Sequence, residues 1–96
     1  MRGTPGRLQD RVAIVTGAGA VGPGWGNGRA TAVRFAQEGA TVFAVDLTHA
    51  ALLETLELAQ GARGAVLPVI CDVTDDADVQ RAVAECVARS GRLDVL

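Results

Sequence analysis

The stretch TGAGAVGPGWGNGRA, residues 16–30, carries six glycines in fifteen positions and decides how the rest of the chain is read. The apolar run VAIVT (12–16) precedes it. RATAVRFAQEG (29–39) follows, with Ala30, Val33 and Ala36 or Gln37 at helical spacing and Gly39 as a stop. A glycine-rich turn between a strand and a helix lets backbone approach a phosphate and aims the helix's unpaired N–H groups at it. Two registers compete. In one, Gly17, Gly19 and Gly22 form G-x-G-x-x-G and the helix begins near Val21. Gly24, Gly26 and Gly28 would then fall inside that helix, each costing about 1 kcal/mol relative to alanine. In the other, the strand ends at Thr16–Gly17, a long loop runs through Trp25, and the helix opens near Asn27. Gly26 and Gly28 then lie beside the phosphates. The second register is preferred because apolar helical spacing starts only at Ala30.

Outward from this loop, short apolar runs alternate with amphipathic ones. TVFAV (41–45) reads as a second strand. Thr48 can cap a helix in which Leu52, Leu53, Leu56 and Ala59 share a face, closed by Gly61. AVLPVI (65–70) reads as a third strand. Thr74 can cap a third helix with Asp75, Asp76 and Asp78 in its first turn and Val79, Val83, Cys86 and Val87 as its buried stripe, ended by Gly91. LDVL (93–96) reads as a fourth strand. The order β-α-β-α-β-α-β with short connections implies an α/β fold, a parallel sheet with right-handed crossovers. Pro68 cannot donate a ladder hydrogen bond, so its strand belongs at an edge or a bulge. That fits strand order 3-2-1-4, the first half of a doubly wound Rossmann sheet.

Composition narrows the function classes. The chain of 96 residues is 49% apolar with a net charge of −2, a globular composition. Its nine cations are all arginine and form no basic block, which argues against a nucleic-acid partner. No apolar run approaches the ~20 residues that span a membrane, and MRGTPGRLQD lacks the apolar core of a secretory signal. Residues 1–7 read as a disordered tail and 8–96 as a partial dinucleotide-binding domain. Cys71 and Cys86 form no CxxC pair and the chain has one His, so a zinc site is not expected. Two buried thiols in a reducing, cytoplasmic compartment are. His49, near the start of the second helix, reads as a surface or structural residue.

Asp46 ends the second strand. In nucleotide-binding units an acid there accepts hydrogen bonds from the adenosine ribose and repels a 2′-phosphate. It lies further from Gly17 than the ~20 residues usual for the fingerprint, and the long loop accounts for part of the excess. A turn or capping role is the plainer alternative.

Together these residues resemble the short-chain dehydrogenases/reductases, whose first strand is followed by T-G-x-x-x-G-x-G. TGAG (16–19) and GNGRATA (26–32) look like its two halves, with AVGPGW (20–25) replacing one spacer residue. FAVDL (43–47) is similar to the family's second strand, whose terminal Asp is associated with NAD rather than NADP. CDVTD (71–75) looks like the segment whose Asp-Val pair meets adenine, and GRLDVL (91–96) resembles the entry into the fourth strand. The resemblance implies that Gly17, Gly19, Gly26, Asn27 and Gly28 hold the diphosphate of NAD, Asp46 and Leu47 the adenosine ribose, and Asp72 and Val73 the adenine; a loop carboxylate near the third helix start is the plainer alternative for Asp72. It covers about residues 8–96.

The departures matter equally. The family's Asn-Asn-Ala-Gly segment, its catalytic Ser and its Y-x-x-x-K are absent. There is no Tyr, no Lys and a single Ser, Ser90. The resemblance therefore implies a truncated NAD-binding N-terminal portion, inactive alone, of an enzyme that moves hydride between a hydroxyl or carbonyl substrate and NAD. No catalytic residue is assigned, and the family's usual oligomer interface is missing. A raw edge at the fourth strand would make the isolated chain prone to associate. Two alternatives remain open: a stand-alone nucleotide-binding or interaction module, and part of an S-adenosylmethionine-dependent methyltransferase. Trp25 is a candidate lid over the bound cofactor or a solvent-facing flap.

Overall fold

The computed structural model describes residues 8–19, 26–91 and 93–94. The tail of residues 1–7, the insertion 20–25 with Trp25, and residues 95 and 96 of the expected fourth strand lie outside the described residues. The elements run β1 (Val12–Thr16), α1 (Asn27–Gln37), β2 (Thr41–Asp46), α2 (His49–Leu58), β3 (Ala65–Ile70) and α3 (Asp76–Ser90). The strands pair in parallel in the order β1-β2-β3, with Val12 opposite Thr41 and Thr41 opposite Ala65. Pro68 sits in β3, at the outer edge of this sheet, as its missing N–H requires.

Nearly continuous apolar runs make strands that are covered on both sides. Side chains alternate between faces. Val12, Ile14, Phe43, Val45 and Val69 pack with Ala82 and Cys86 of α3. Val15, Val42 and Ala44 face the other way, onto Ala32 and Ala36 of α1 and Leu52 of α2. The first two helices thus cover one face and α3 the opposite face. Right-handed crossovers explain this. The chain moves outward from β1 to β3 with its helices on one side, then must cross the other face to return. It does return: the Asp94 amide donates to Val12 O at 2.8 Å, and Asp94 Oδ2 accepts from Val12 N at 2.9 Å. Residue 94 therefore lies along the free edge of β1, where order 3-2-1-4 puts a fourth strand.

The helices differ from the sequence expectation in which residues they bury. In α1 the buried stripe is Arg29, Ala32, Val33 and Ala36, so an arginine occupies the inward position expected of Ala30. In α2 it is Leu52 and Thr55, while Leu53 is 48% exposed. A polar threonine is tolerated inside because its hydroxyl is fully engaged. In α3, Ala82 and Cys86 are buried, Val79 and Val83 pack at the margin, and Val87 turns outward. Thr48 caps α2, its Oγ1 accepting from Ala51 N. The cap of α3 is Asp75 rather than Thr74, because Asp75 Oδ1 accepts from the amides of Ala77 and Asp78. Thr74 instead turns its hydroxyl to Asp72. Gly91 ends α3 in the left-handed region at φ 79°.

Candidate functional site

All three strands end on one edge of the sheet, and the loops leaving them build the site. β1 gives way at Gly17, whose φ of +62° is costly for a residue with a side chain. The Ala18 amide then donates to Val45 O at 3.1 Å, and the Gly19 amide donates to Asp46 Oδ2 at 2.9 Å. Asp46 Oδ1 accepts from Leu47 N at 2.7 Å. Both carboxylate oxygens are thus aimed by backbone, each with a lone pair to spare.

Helix α1 opens at Asn27, as the second glycine register requires, with Gly26 as its N-cap. Gly26 makes no side-chain capping bond, the first turn holds no acid, and a Cβ at Gly26 would meet nothing within 4 Å. Among the described residues, no Gly26 side chain caps the helix, which presents the positive end of its dipole here. Gly28 differs. A Cβ there would overlap the carbonyl of Gly17 and touch Thr16 O at 3.0 Å. Its missing side chain lets α1 lie directly against the end of β1, and that helix–strand contact by itself demands glycine at 28. Gly19 likewise abuts the Ala51 carbonyl of α2.

Two clefts open among these elements. One, of about 300 Å³, is bordered by Thr16, Asn27, Gly28 and Phe35. The other, of about 210 Å³, brings Gly17, Asp46, Leu47, Asp72 and Val73 together. Leu47 is 60% and Val73 54% exposed, two apolar side chains on the lining of this cleft. Asp72 Oδ1 accepts from the Thr74 hydroxyl at 2.6 Å and the Thr74 amide at 2.9 Å, and these bonds hold its carboxyl below the ordinary range. The Asp72 amide donates to Asp78 Oδ2, and that bond together with Arg81 lowers Asp78 in turn. Cys71, also on this cleft, has its thiol pushed up by burial and then by the Asp78 charge. Burial raises Cys86 as well. Ser90 donates to the Cys86 carbonyl within its own helix, and His49 is exposed at the start of α2.

The nine residues singled out in the sequence therefore lie along this one edge. Arg29 and Thr55 were missed. Arg29 is 1% exposed; its Nε donates to Thr55 Oγ1 at 2.9 Å and its Nη1 to Glu54 Oε2 at 2.8 Å. Thr55 Oγ1 in turn donates to Ala18 O at 2.6 Å. The available signal was the i, i+3, i+4, i+7 spacing of Arg29, Ala32, Val33 and Ala36, which puts the arginine on the inward stripe.

Known proteins share this arrangement. The family model described as short chain dehydrogenase matches residues 11–96. The 3-oxoacyl-[acyl-carrier-protein] reductase of Thermotoga maritima is 40% identical over 90 residues, covering 94% of this chain and 35% of that protein. A Burkholderia xenovorans protein, solved as a short-chain dehydrogenase/reductase, superposes with a TM-score of 0.90 at 63% identity, over 94% of this chain and 35% of its own. Carveol dehydrogenase of Mycobacterium avium, solved in complex with NAD, gives a TM-score of 0.79 at 33% identity, again over 94% and 35%. The chain thus spans about a third of the length of the relatives it matches. With a match that runs from the start of β1 through the fourth-strand segment, the chain belongs to the short-chain dehydrogenase family.

Proposed function

We propose that this chain holds the dinucleotide of an NAD-dependent oxidoreductase acting on a hydroxyl or carbonyl substrate. The diphosphate lies at Gly17, Gly19, Gly26, Asn27 and Gly28, the adenosine ribose at Asp46 and Leu47, and the adenine between Asp72 and Val73. The donor set fits such a group. A helix start with open space at Gly26 suits a diphosphate, and the exposed Leu47 and Val73 suit the faces of a flat base. When bound, the nicotinamide accepts or gives up the hydride. The chain's own residues bind and orient. With no Tyr and no Lys among 96 residues, proton transfer to the substrate needs groups this chain does not supply. Two buried free thiols agree with a reducing, cytoplasmic setting. Among the described residues no helix is long and apolar enough to cross a membrane.

The observation that carries the choice of NAD over NADP is Asp46. Its carboxylate is pinned at the cleft by Gly19 and Leu47, and Leu47 and Thr48 beside it bring no cation to meet a 2′-phosphate. Titrating NAD and NADP against the chain tests this. NAD should bind more tightly, and Asp46→Ala should shrink the difference by about tenfold, the worth of charge-assisted bonds to the ribose. An unchanged preference in Asp46→Ala, or binding of neither nucleotide, refutes the reading.

A further inference from the structure

We propose that Arg29 and Thr55 are positioning residues that set which adenosine ribose the site accepts, acting through the Ala18–Gly19 peptide. The proposal rests on the nucleotide reading above, in which Asp46 meets the ribose.

The argument starts from proton counting. A guanidinium has donors and no acceptor. Arg29 Nε donates to Thr55 Oγ1 at 2.9 Å, so the threonine's single hydroxyl proton must go elsewhere. It goes to Ala18 O at 2.6 Å. That carbonyl belongs to the same peptide unit as the Gly19 N–H, which donates to Asp46 Oδ2 at 2.9 Å. One donor chain therefore runs from a cation to an anion, through a hydroxyl and one peptide group. Each bond polarises the next in the same direction.

Burial makes the chain rigid. Arg29 is 1% exposed and Thr55 fully buried. The charge is balanced by Glu54 Oε2 at 2.8 Å, and Nη2 reaches Ala51 O at 3.3 Å. The backbone of Gly19 also rests on the Ala51 carbonyl, too close to admit a Cβ. The 18–19 peptide is thus gripped at its oxygen by α2 and at its nitrogen by β2. Rotation of that peptide would break the Thr55 and Asp46 bonds together. Asp46 would lose the donor that fixes one oxygen and keep only the bond from its neighbour Leu47. Arg29 and Thr55 therefore control the aim of a carboxylate that neither of them touches.

Thr55→Val and Thr55→Ser separate this role from plain packing. Valine keeps the shape and removes the hydroxyl; serine keeps the hydroxyl. Two quantities are read: hydrogen exchange of the Gly19 amide without nucleotide, against the Ala44 amide of β2, and the ratio of NADP to NAD dissociation constants. In Thr55→Val, Gly19 exchange should rise and the ratio should contract, each by roughly fivefold, the worth of one hydrogen bond of about 1 kcal/mol, with Ala44 unchanged. Thr55→Ser should retain the parent values within about twofold. If Thr55→Val does not fold, Arg29→Lys is read instead: it keeps a cation near Glu54, removes the planar Nε donor, and should contract the ratio likewise. Equal weakening of both nucleotides, with the ratio unmoved, would show a merely structural role and overturn the proposal. A parent chain that binds neither nucleotide defeats the nucleotide reading itself, and this proposal falls with it.

Discussion

Replacing Gly26 by serine should make the chain more stable and a worse binder at once. Gly26 sits at the N-cap of α1 with φ −97° and ψ 167°, extended backbone that serine adopts without strain. A Cβ there meets nothing within 4 Å. The new hydroxyl can accept from an amide of the first turn, a bond that glycine at the N-cap cannot make. Serine exceeds glycine at this position by a few tenths of a kcal/mol, about 1–3 °C in the melting temperature of a domain this size. The same hydroxyl occupies the N–H and the space that the diphosphate would take. Bonds to a charged group contribute about 1.5–3 kcal/mol, so losing one should weaken NAD binding by about tenfold or more. Melting followed by far-ultraviolet circular dichroism, with calorimetric titration of NAD on the same samples, reads both signs. A higher melting temperature with unchanged NAD affinity would place the diphosphate away from Gly26. A lower melting temperature would mean that the cap geometry has been misjudged.

Two further outcomes follow from the same edge of the sheet. Gly28→Ala gains about 1 kcal/mol of helix propensity but drives a methyl into the Gly17 carbonyl, and backbone-against-backbone overpacking typically costs about 1–3 kcal/mol. A net loss of stability in chemical denaturation is expected, and a gain would show that α1 can move off β1 freely. The acid limb has a definite sign: hydrogen bonds hold the carboxyls of Asp72 and Asp78 below their unfolded values. Their contribution is therefore complete above about pH 4 and is lost as pH falls through the folded values. Asp72→Asn should flatten the decline of the denaturation midpoint in that window, and an unchanged slope would deny Asp72 any part in it.

What the sequence made legible was whatever depends on neighbours along the chain. β1 and β3 begin and end where the apolar runs VAIVT and AVLPVI do. The start of α1 at Asn27 follows from the cost of glycine inside a helix, and Thr48 caps α2 as its residue type and position suggest. What escaped depends on partners distant in sequence. Arg29 is inward because Glu54 and Thr55 come to meet it from α2, and nothing local announces that encounter. Leu53 is exposed and Thr55 buried for the same reason: the rotation of α2 is set by the hydroxyl's two bonds as well as by leucine spacing. At the start of α3, Thr74 and Asp75 are adjacent residues that can both cap, and the competing pull of Asp72 on Thr74 leaves Asp75 with the task.

The reciprocal pair between Asp94 and Val12 is also a parity device. Asp94 takes the Val12 N–H with its carboxylate and gives its own N–H to the Val12 carbonyl, so a single residue reads both polar groups of its neighbour. Arg11, 3.6 Å from Asp94 Oδ1, adds a charge to the same junction. In extended chain, odd and even residues point to opposite sides, and a slip of one position exchanges them all. A slip at Asp94 would forfeit both bonds at once. The odd-or-even choice for a strand laid along this edge is thus written in polar bonds at Asp94 as well as in the packing of Leu93 against the core.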